Sequence, residues 1–374
     1  MKGRRPRPLD DGDSGEVRVS GHLSWAKPIK NKRSFLAFSS ATITYMSFIS
    51  NCTSAAITDA ATTLAGGKLV AFPTETVYGL GADATNKDAV ARIYQVKGRP
   101  ADHPLIVHIS TAAHLDKWAS EIPEYAIKLA RTFWPGPMTL ILPRTELAKD
   151  FITGGQNNVG IRVPSHTVAL ALLKAFEDQG GLGVAAPSAN RFGKVSPTSA
   201  QAVTEELSYY LSNDDLILDG GSSEIGVEST IIDCTKDVPV IIRPGAVTAM
   251  MIEELLSSKL PTFDTQSDQI KAPGLLDSHY APNAKVLLSG IPLPGDGFIA
   301  LINVPTPSGA IRLSSPIDND DYARTLYSSL RLADLTGLNK IFVVAPSNEG
   351  LGLAVNDRLL KASSNINSMS PKIT

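Results

Sequence analysis

Cysteine is nearly absent from this sequence. Cys52 and Cys234 are its two cysteines, and neither lies in a CxxC pair or in a cluster with histidine. Two isolated cysteines indicate neither a disulfide framework nor a zinc site. Such sparse cysteine usage is typical of a protein that works in a reducing compartment.

Long apolar runs and an excess of one charge are also lacking. No uncharged apolar stretch reaches the roughly 20 residues that cross a bilayer, so no membrane association is expected. Lysine and arginine total 35 against 37 aspartates and glutamates, which gives a net charge of −2. This balance provides no general attraction to nucleic acid and suits a protein that acts on free small molecules. A local basic patch remains compatible with it.

The residues that are present predict two globular domains with an α/β fold. The 374 residues exceed the size of one typical core, and 43% of them are apolar and 19% charged. Helix and strand patterns alternate along the chain, and the turns between them carry the polar residues. We predict a catalytic domain at 54–260, a linker at 261–284 and a smaller α/β domain at 285–374.

The predicted elements follow from apolar periodicity and from breaks at glycine and proline. Helices are expected at 54–65, 87–96, 112–118, 124–134, 167–177, after 246, at 321–335 and at 356–362. Strands are expected at 68–72, 105–109, 138–142, 159–163, 182–186, 216–218, 229–233, 240–242, 298–304 and 341–344. Near the C-terminus, strand, helix and strand succeed one another at lengths that suit a βαβ unit and a small parallel sheet.

The first 53 residues are predicted to be a disordered or targeting extension. Residues 1–20 mix arginine with acidic residues and have little apolar content. Residues 22–50 have some transit-peptide character, but the acidic run at 10–13 argues against a simple mitochondrial signal. Translation from Met46 is the alternative. We therefore expect a cytoplasmic protein, with a mitochondrial pool as the second option.

The most informative stretch lies between positions 72 and 109. It contains three motifs, FPTETVYGLG (72–81), KGRP (97–100) and HPLIVHI (103–109). Arginine offers a planar fork of donors and lysine a compact charge, and together they suit a polyphosphate. Lys97 and Arg99 are therefore candidates for phosphate binding. The alternative is a solvated pair in which Lys97 is favoured by the end of the preceding helix.

Three further side chains have positions that a purely structural role explains poorly. Arg162 lies inside the apolar run GIRVP (160–164), where an unpaired charge is costly. Its partner is either an internal carboxylate or the carboxylate of a substrate. His279 and Tyr280 lie between prolines in the linker, which either is fixed to a domain surface or covers a site.

The order of these motifs resembles that of the YrdC-like family, and within it the two-domain threonylcarbamoyl-AMP synthases. The resemblance covers residues 55–365 and rests on the KxR element at Lys97 and Arg99 and the SxN element at Ser188 and Asn190. Around them, in matching order, stand FPTETVYGLG, PGPMTLIL (135–142), GIRVP, VAAPSAN (184–190), GVESTIID (226–233), IIRPG (241–245) and HYAP (279–282). It implies an N-terminal twisted mixed-sheet domain and a smaller, Rossmann-like C-terminal domain joined by a long linker.

The resemblance implies a nucleotidyltransferase that makes L-threonylcarbamoyl-AMP and pyrophosphate from L-threonine, bicarbonate and ATP. The product would serve the threonylcarbamoyladenosine modification of tRNA next to the anticodon, after transfer to a tRNA threonylcarbamoyl-transferase complex. Magnesium is expected as the companion of ATP, without a protein metal site of its own. Direct tRNA binding is expected to be weak or absent.

The resemblance also implies roles for individual residues. Lys97 and Arg99 would be catalytic and contact the triphosphate. The expected ATP-binding residues are Arg99, His103, Asn158, Ser188, Asn190, Ser196, Arg243, His279 and Tyr280. The expected L-threonine-binding residues are Thr76, His108, Arg162, Ala186 and Ser229. His103 departs from the family pattern, in which asparagine is common, and the linker with His279 and Tyr280 would fold over the active site.

Two other functions compete with this interpretation. One is a carbamoyltransferase that uses the same carbamoyl-adenylate chemistry, although the cysteine-rich fingers that accompany such domains are missing from this sequence. The other is an RNA-binding regulator of translation, against which the net charge and the lack of a basic, aromatic-rich stripe count.

Overall fold

Two β-sheets organise the described part of the chain, which in the computed structural model comprises residues 49–261, 270–274 and 279–364. The strands of the larger sheet are β1 (Ile49–Asn51), β2 (Val70–Phe72), β3 (Gly79–Asp83), β4 (Ile106–His108), β5 (Met138–Pro143), β6 (Asn158–Arg162), β7 (Val184–Ala185), β8 (Leu216–Asp219), β9 (Thr230–Asp233) and β10 (Val240–Arg243). Their order in the sheet is β1-β8-β2-β3-β7-β4-β6-β5-β9-β10. Parallel and antiparallel pairs alternate irregularly, so the sheet is mixed.

The helices of the described residues accompany both sheets, α1 to α8 in the larger domain and α9 and α10 in the smaller one. They are α1 (Ser54–Ala65), α2 (Lys87–Lys97), α3 (Leu115–Trp118), α4 (Glu124–Phe133), α5 (Asp150–Thr153), α6 (Thr167–Asp178), α7 (Ala200–Leu207), α8 (Ala249–Leu256), α9 (Asn319–Leu335) and α10 (Gly352–Ser363), with a 3₁₀ turn at Ala112–His114. Side-chain caps fix several of their starts, as where Asn86 accepts hydrogen bonds from the backbone N–H groups of Asp88 and Ala89. None of these helices is both long and apolar enough to span a bilayer.

Strand β3 packs unusually close to its neighbours in the sheet. A Cβ atom at Gly81 would lie 2.9 Å from the ring of Phe72 and 2.8 Å from Val184. Only glycine allows the β3 backbone to lie this close to its neighbours. The loop of residues 73–78 therefore joins two adjacent strands whose backbones are held close together.

The smaller sheet belongs to the C-terminal domain and is entirely parallel. Its strands are β11 (Lys285–Leu287), β12 (Gly297–Ile299), β13 (Ile311–Ser314) and β14 (Lys340–Val343), in the order β11-β14-β12-β13. Helix α9 connects β13 to β14, and α10 follows β14. The predicted βαβ arrangement with a small parallel sheet is confirmed.

A shared hydrophobic cluster joins the two domains. Val77, Val195 and Val227 of the larger domain pack in one cluster with C-terminal residues such as Tyr322 and Leu326. Tyr280 of the linker lies in the same cluster and is 1% exposed. The linker is thus part of the packing between the domains.

The predicted fold class, a mixed α/β domain with a smaller α/β domain, is confirmed, and the differences concern short elements. Residues 49–51, assigned by sequence to the N-terminal extension, form β1 and pair with β8, and Thr53 caps α1; residues 1–48 of that extension lie outside the described residues. The glycine-rich β3 and the helix α7 were not predicted. The strand expected at 298–304 ends at Ile299, because the chain then turns and the Val304 N–H donates to the Leu301 carbonyl.

Asp215, immediately before β8, holds three segments of the larger domain together and gives a stability prediction. The fully buried carboxylate accepts hydrogen bonds from the Leu69 N–H and from Ser212, and two more from Arg92. Asp215→Ala should lower the free energy of unfolding by about 3 kcal/mol, because it leaves these donors without an acceptor. Denaturant unfolding measures this loss.

The neighbouring Asp214 is the matched control. Its ion pair with Lys68 is exposed, so Asp214→Ala should change the free energy of unfolding by no more than about 0.5 kcal/mol. Equal effects of the two substitutions would contradict the role given to Asp215.

Candidate active site

A cleft lies where the ends of several strands of the larger sheet meet the linker. Its lining residues come from the β2–β3 loop and the start of β3, from the turn after α2, from β4 and β6, from the loop after β7, from the residues just before β9, from the end of β10, and from the linker. They are Thr74, Thr76, Val77, Gly79, Arg99, Ile106, His108, Arg162, Ala186, Pro187, Ser188, Glu228, Ser229, Arg243, Pro273, Gly274, His279 and Tyr280. Ten of the predicted site residues are among them.

A left-handed glycine separates the two members of the KxR motif. Gly98 ends α2 with φ 60°, so Lys97 stays on the helix while Arg99 follows a reversed turn. Arg99 donates to the Pro104 carbonyl at 3.0 Å, lies 5.7 Å from the centre of the Phe192 ring and lines the cleft. Burial lowers the pKa of Arg99 to about 10, so it stays a cation at neutral pH.

Lys97, which is predicted to contact the triphosphate, is held by the neighbouring SxN loop. Its ammonium group donates to the carbonyl oxygens of Ser188 and Asn190, at 2.6 Å for Ser188, and it is not one of the described residues that line the cleft. Burial, followed by the neighbouring Arg99, holds the pKa of Lys97 well below its usual range. Lys97 therefore fixes the backbone of the SxN loop and does not face the cleft directly.

In the SxN motif, as in KxR, one side chain lines the cleft and the other holds the backbone. Ser188 lines the cleft. The Asn190 amide donates to the carbonyls of Arg191 and Lys194 at 2.7 and 2.8 Å, and so closes the loop on itself. Ser196 donates to Glu228 at 2.6 Å. Asn190 and Ser196 thus shape the loop from behind, and Ser188 faces the cleft.

Arg162 has an internal partner and still lines the cleft. Its Nη2 lies 2.6 Å from Oε1 of Glu75, whose other oxygen accepts from the Ser165 N–H at 3.1 Å. Of the two partners considered from the sequence, the internal carboxylate is therefore present. The Arg162 Nε is buried and has no hydrogen-bond partner within the described residues. One side of the guanidinium thus remains available to an anionic group in the cleft.

His108 is a neutral, buried member of the lining. Its ring meets the Phe72 ring edge-on, with 6.1 Å between centroids. Burial, followed by the nearby Arg162 charge, lowers the pKa of His108 to about 3. Its Nδ1 has no partner in the described part of the chain. Beside it, the hydroxyls of Thr74 and Thr76 lie 2.8 Å apart, so this end of the cleft is built to contact a small polar group.

Arg243 and Ser229 form a second polar corner of the cleft. The Arg243 guanidinium donates to the Ser229 carbonyl from Nε at 3.0 Å and to its hydroxyl from Nη2 at 3.1 Å. A third hydrogen bond of 2.8 Å joins Arg243 Nη1 to the carbonyl of Pro273 in the linker. Arg243 thereby connects the sheet, the serine and the linker.

The linker covers one side of the cleft. Gly274 has φ +81°, and a Cβ atom there would lie 2.3 Å from the Tyr280 hydroxyl, so the turn requires glycine. The Tyr280 ring stacks on Tyr327 with 5.8 Å between centroids. Burial lowers the pKa of His279 to about 3, so a neutral imidazole faces the cleft.

Asn158 and His103 lie near the cleft but are not among its described lining residues. Asn158 borders an adjoining groove under linker residues 270–273. His103 packs edge-on against Phe192, with 5.3 Å between ring centroids, and stands 4.0 Å from Asp102. An extended ligand would have to continue beyond the cleft to reach either residue.

Glu228 is the principal site residue that sequence reasoning missed. It lines the cleft, and its carboxylate accepts hydrogen bonds from Ser196, Tyr327 and Arg358. Burial opposes its ionisation, but Arg358 and Arg243 outweigh this effect and lower the pKa of Glu228 to about 2. An acidic residue just before a buried strand, in GVESTIID, was the available signal, but its cationic partner lies 130 residues further along the chain.

The described residues contain no group of three or more histidine, cysteine, aspartate or glutamate side chains that could hold a metal ion. Glu228 is the carboxylate that lines the cleft, and both of its oxygens already accept hydrogen bonds. A divalent cation bound here would need its ligands from elsewhere, such as the phosphates of a nucleotide and water.

Comparison with known proteins relates most of the chain to one family. A family model described as "Telomere recombination" matches residues 62–245, and one described as "Threonylcarbamoyl-AMP synthase, C-terminal domain" matches residues 247–364. The threonylcarbamoyl-AMP synthase of Pyrococcus abyssi is 43% identical over 315 residues, which cover 79% of this chain and 91% of that protein. The Bacillus subtilis enzyme of the same name is 38% identical, with 82% and 92% coverage.

A solved structure agrees with these sequence matches. The crystal structure of Pyrococcus abyssi Sua5 complexed with L-threonine has a TM-score of 0.76 and 40% sequence identity to this chain. The similarity covers 84% of this chain and 97% of that one. The similarity therefore extends over nearly the full length of that protein.

The depressed pKa of Glu228 predicts how stability depends on pH. Its folded-state pKa is lower than its ordinary value of 4.5, so its stabilisation is fully present above that value and is lost as the pH falls towards about 2. At pH 7 the wild type should be more stable than Glu228→Gln by about 3 kcal/mol, and this difference should shrink between pH 5 and pH 3. Denaturant unfolding at each pH measures it.

Glu224→Gln is the matched control, because Glu224 is exposed in the same loop. Its difference from the wild type should stay small at every pH. A constant difference for Glu228→Gln across this pH range would show that Glu228 is not held as a buried anion.

Proposed function

The chain belongs to the threonylcarbamoyl-AMP synthase family, and we propose that its cleft forms L-threonylcarbamoyl-AMP and pyrophosphate from L-threonine, bicarbonate and ATP. The observation that carries the proposal is the convergence of Arg99, Arg162 and Arg243 on one cleft that also holds neutral hydroxyl and imidazole groups. Guanidinium groups bind carboxylates and phosphates through paired hydrogen bonds, and both kinds of anion are present in these substrates.

The reaction has two steps that need positioning more than acid–base catalysis. The threonine amine first attacks the carbon of bicarbonate, and a carbamate forms with loss of water. A carbamate oxygen then attacks the α-phosphorus of ATP, and the bond to the β,γ-pyrophosphate breaks so that pyrophosphate leaves with the electron pair. Orientation of reactants can supply roughly 7–11 kcal/mol of such a barrier, and fixed positive charge stabilises the developing anion.

The residues of the cleft divide into two ends that suit the two substrates. At the end near β4 and β6, Arg162 offers its unpaired Nε side to the threonine carboxylate, while Thr76 and neutral His108 face the threonine side chain. Ala186 contributes an apolar wall to the same end, and the Ser229 hydroxyl, held by Arg243, lies where this end meets the phosphate end. Binding energy from these contacts would hold the amine beside bicarbonate.

At the other end, Arg99 and Arg243 are placed to bind the phosphates of ATP, with Ser188 as a further hydroxyl contact. Lys97 would act through the carbonyls of the SxN loop that it holds. Magnesium would enter as part of the ATP complex, held by phosphate oxygens and water, since the described residues form no acidic cluster. Asn158, His103, His279 and Tyr280 would contact parts of the nucleotide beyond the triphosphate.

The product is a mixed anhydride of a carbamic acid and a phosphate, so a group-transfer reaction must consume it. We propose that a tRNA threonylcarbamoyl-transferase complex takes it up and modifies adenosine next to the anticodon, with little direct tRNA binding by this chain. Cys52 and Cys234 are free thiols, which suits the proposed cytoplasmic location.

Pyrophosphate release tests the proposed function directly. The purified protein with magnesium and ATP should release pyrophosphate only when L-threonine and bicarbonate are both present. Arg99→Ala should lower kcat/KM on the order of 100-fold or more, because it removes a charge that stabilises the transition state. Arg131→Ala, which removes an exposed arginine on α4, should leave the rate unchanged.

Other outcomes would point to other functions. Release that ignores threonine would indicate a different acceptor in the same chemistry, as in a carbamoyltransferase. No release under any combination would contradict the synthase proposal and would favour a binding role.

His279 tests whether the linker takes part in turnover. His279→Ala should reduce kcat by about 10-fold or more while Tm falls by only a few degrees, because its ring lines the cleft and packs edge-on against the ring of Tyr280 on its other side. His114→Ala, at a histidine that is not one of the cleft residues, is the control. Tyr280 is less suited to this test, since its ring is part of the cluster between the domains. Unchanged turnover in His279→Ala would remove His279 from the site.

A further inference from the structure

Arg358 is a charged side chain with no exposure to solvent, and it lies on α10 of the C-terminal domain. Its Nε donates to Glu228 Oε2 at 3.0 Å, and its Nη2 lies 3.4 Å from the Glu228 carbonyl oxygen. Its Nη1 donates to the carbonyl of Pro244 at 3.0 Å. One guanidinium group thus holds two separate segments of the larger domain.

Both of these segments carry residues of the cleft. Glu228 lines the cleft and is followed by Ser229, while Pro244 follows Arg243 at the end of β10. Arg243 in turn donates to the Ser229 carbonyl and hydroxyl. Any shift of either segment would change the Arg243–Ser229 corner. Arg358 is not one of the described cleft residues and acts from behind them.

Further side chains from both domains contact the ion pair of Glu228 and Arg358. The Tyr327 hydroxyl on α9 donates to Glu228 Oε2 at 2.9 Å, and Ser196 of the larger domain donates to Oε1 at 2.6 Å. The Arg358 charge also meets Asp357, at 2.7 Å, and lies 5.5 Å from the centre of the Tyr280 ring in the linker. The C-terminal domain, the linker and two cleft segments therefore meet around one carboxylate.

We propose, on the basis of the proposed function, that Arg358 is a positioning residue through which the C-terminal domain completes the active site. By holding Glu228 and Pro244 together it fixes Ser229 and Arg243 where the phosphates and threonine require them. Displacements of about 1 Å far from the reacting atoms can reduce turnover 10²-fold, so such a residue affects the rate without touching substrate.

The geometry requires arginine and not merely a positive charge. The guanidinium presents donors in a fixed planar fork, and here it uses Nε and Nη2 for Glu228 and Nη1 for Pro244. A lysine ammonium is a point charge that can pair with the carboxylate but cannot hold both segments in this arrangement. Charge and positioning can therefore be separated by substitution.

Arg358→Lys separates the two effects. It should keep the charge on Glu228 balanced, so Tm should fall by only a few degrees. The kcat of threonine-dependent pyrophosphate release should fall by about 10- to 100-fold, with KM for ATP and threonine changed much less, because positioning acts on the transition state.

Arg358→Met and the double variant Arg358→Met with Glu228→Gln complete the test. Arg358→Met leaves a buried carboxylate without its cation and should lower Tm on the order of 10 °C. The added Glu228→Gln removes that charge and should restore at least half of the lost Tm, while kcat stays low. Arg331→Met is the control, since Arg331 also joins the domains, through Glu206 and Val195, and is not part of the cleft.

The outcomes distinguish the two proposals. A wild-type protein without threonine-dependent release would overturn the proposed function, and this inference with it. A working wild type with wild-type kcat in Arg358→Lys would overturn the inference alone. The inference also fails if kcat returns whenever Tm returns across the three variants, because the role of Arg358 would then be purely structural.

Discussion

The buried ion pair between Glu228 and Arg358 is the constraint on which the arrangement of the site depends. Its two charges come from different domains and are both nearly inaccessible to solvent. Such a pair is costly to form unless each charge has further hydrogen bonds, and here Ser196, Tyr327 and Pro244 supply them. Because all of these partners must be in place together, the pair admits few relative positions of the two domains and of the cleft segments.

The cleft that results contains charged arginines and neutral histidines side by side. Arg99 and Arg243 remain cations although they are buried, whereas His108 and His279 are held neutral by the same burial. The difference follows from intrinsic basicity, since desolvation can lower the pKa of an arginine considerably and the side chain is still charged at pH 7. The site thus offers fixed charge for anions and neutral rings that can contact substrate without adding repulsion.

Sequence reasoning predicted most elements longer than four residues and most of the cleft, and its failures have physical causes. Helix α1 ends at a glycine and strand β5 is a continuous apolar run, so their predicted bounds are nearly right. Strand β3 was missed because its glycines, which close packing requires, are read in sequence as a turn. Glu228 was missed because its role depends on Arg358, which lies 130 residues away in the sequence. Local sequence patterns do not show which distant residues will be in contact.

Lys97 also shows that a local sequence pattern does not reveal long-range contacts. The KxR spacing suggests that both cations contact a polyphosphate directly, whereas the left-handed Gly98 directs Lys97 and Arg99 to different surroundings. Lys97 is then committed to the SxN carbonyls, so the two signature motifs of the chain contact each other before either contacts a ligand. Lys97 fastens the loop that carries Ser188 to the helix that precedes Arg99, so Arg99 and Ser188 can face the same cleft. The two motifs therefore depend on each other structurally as well as chemically.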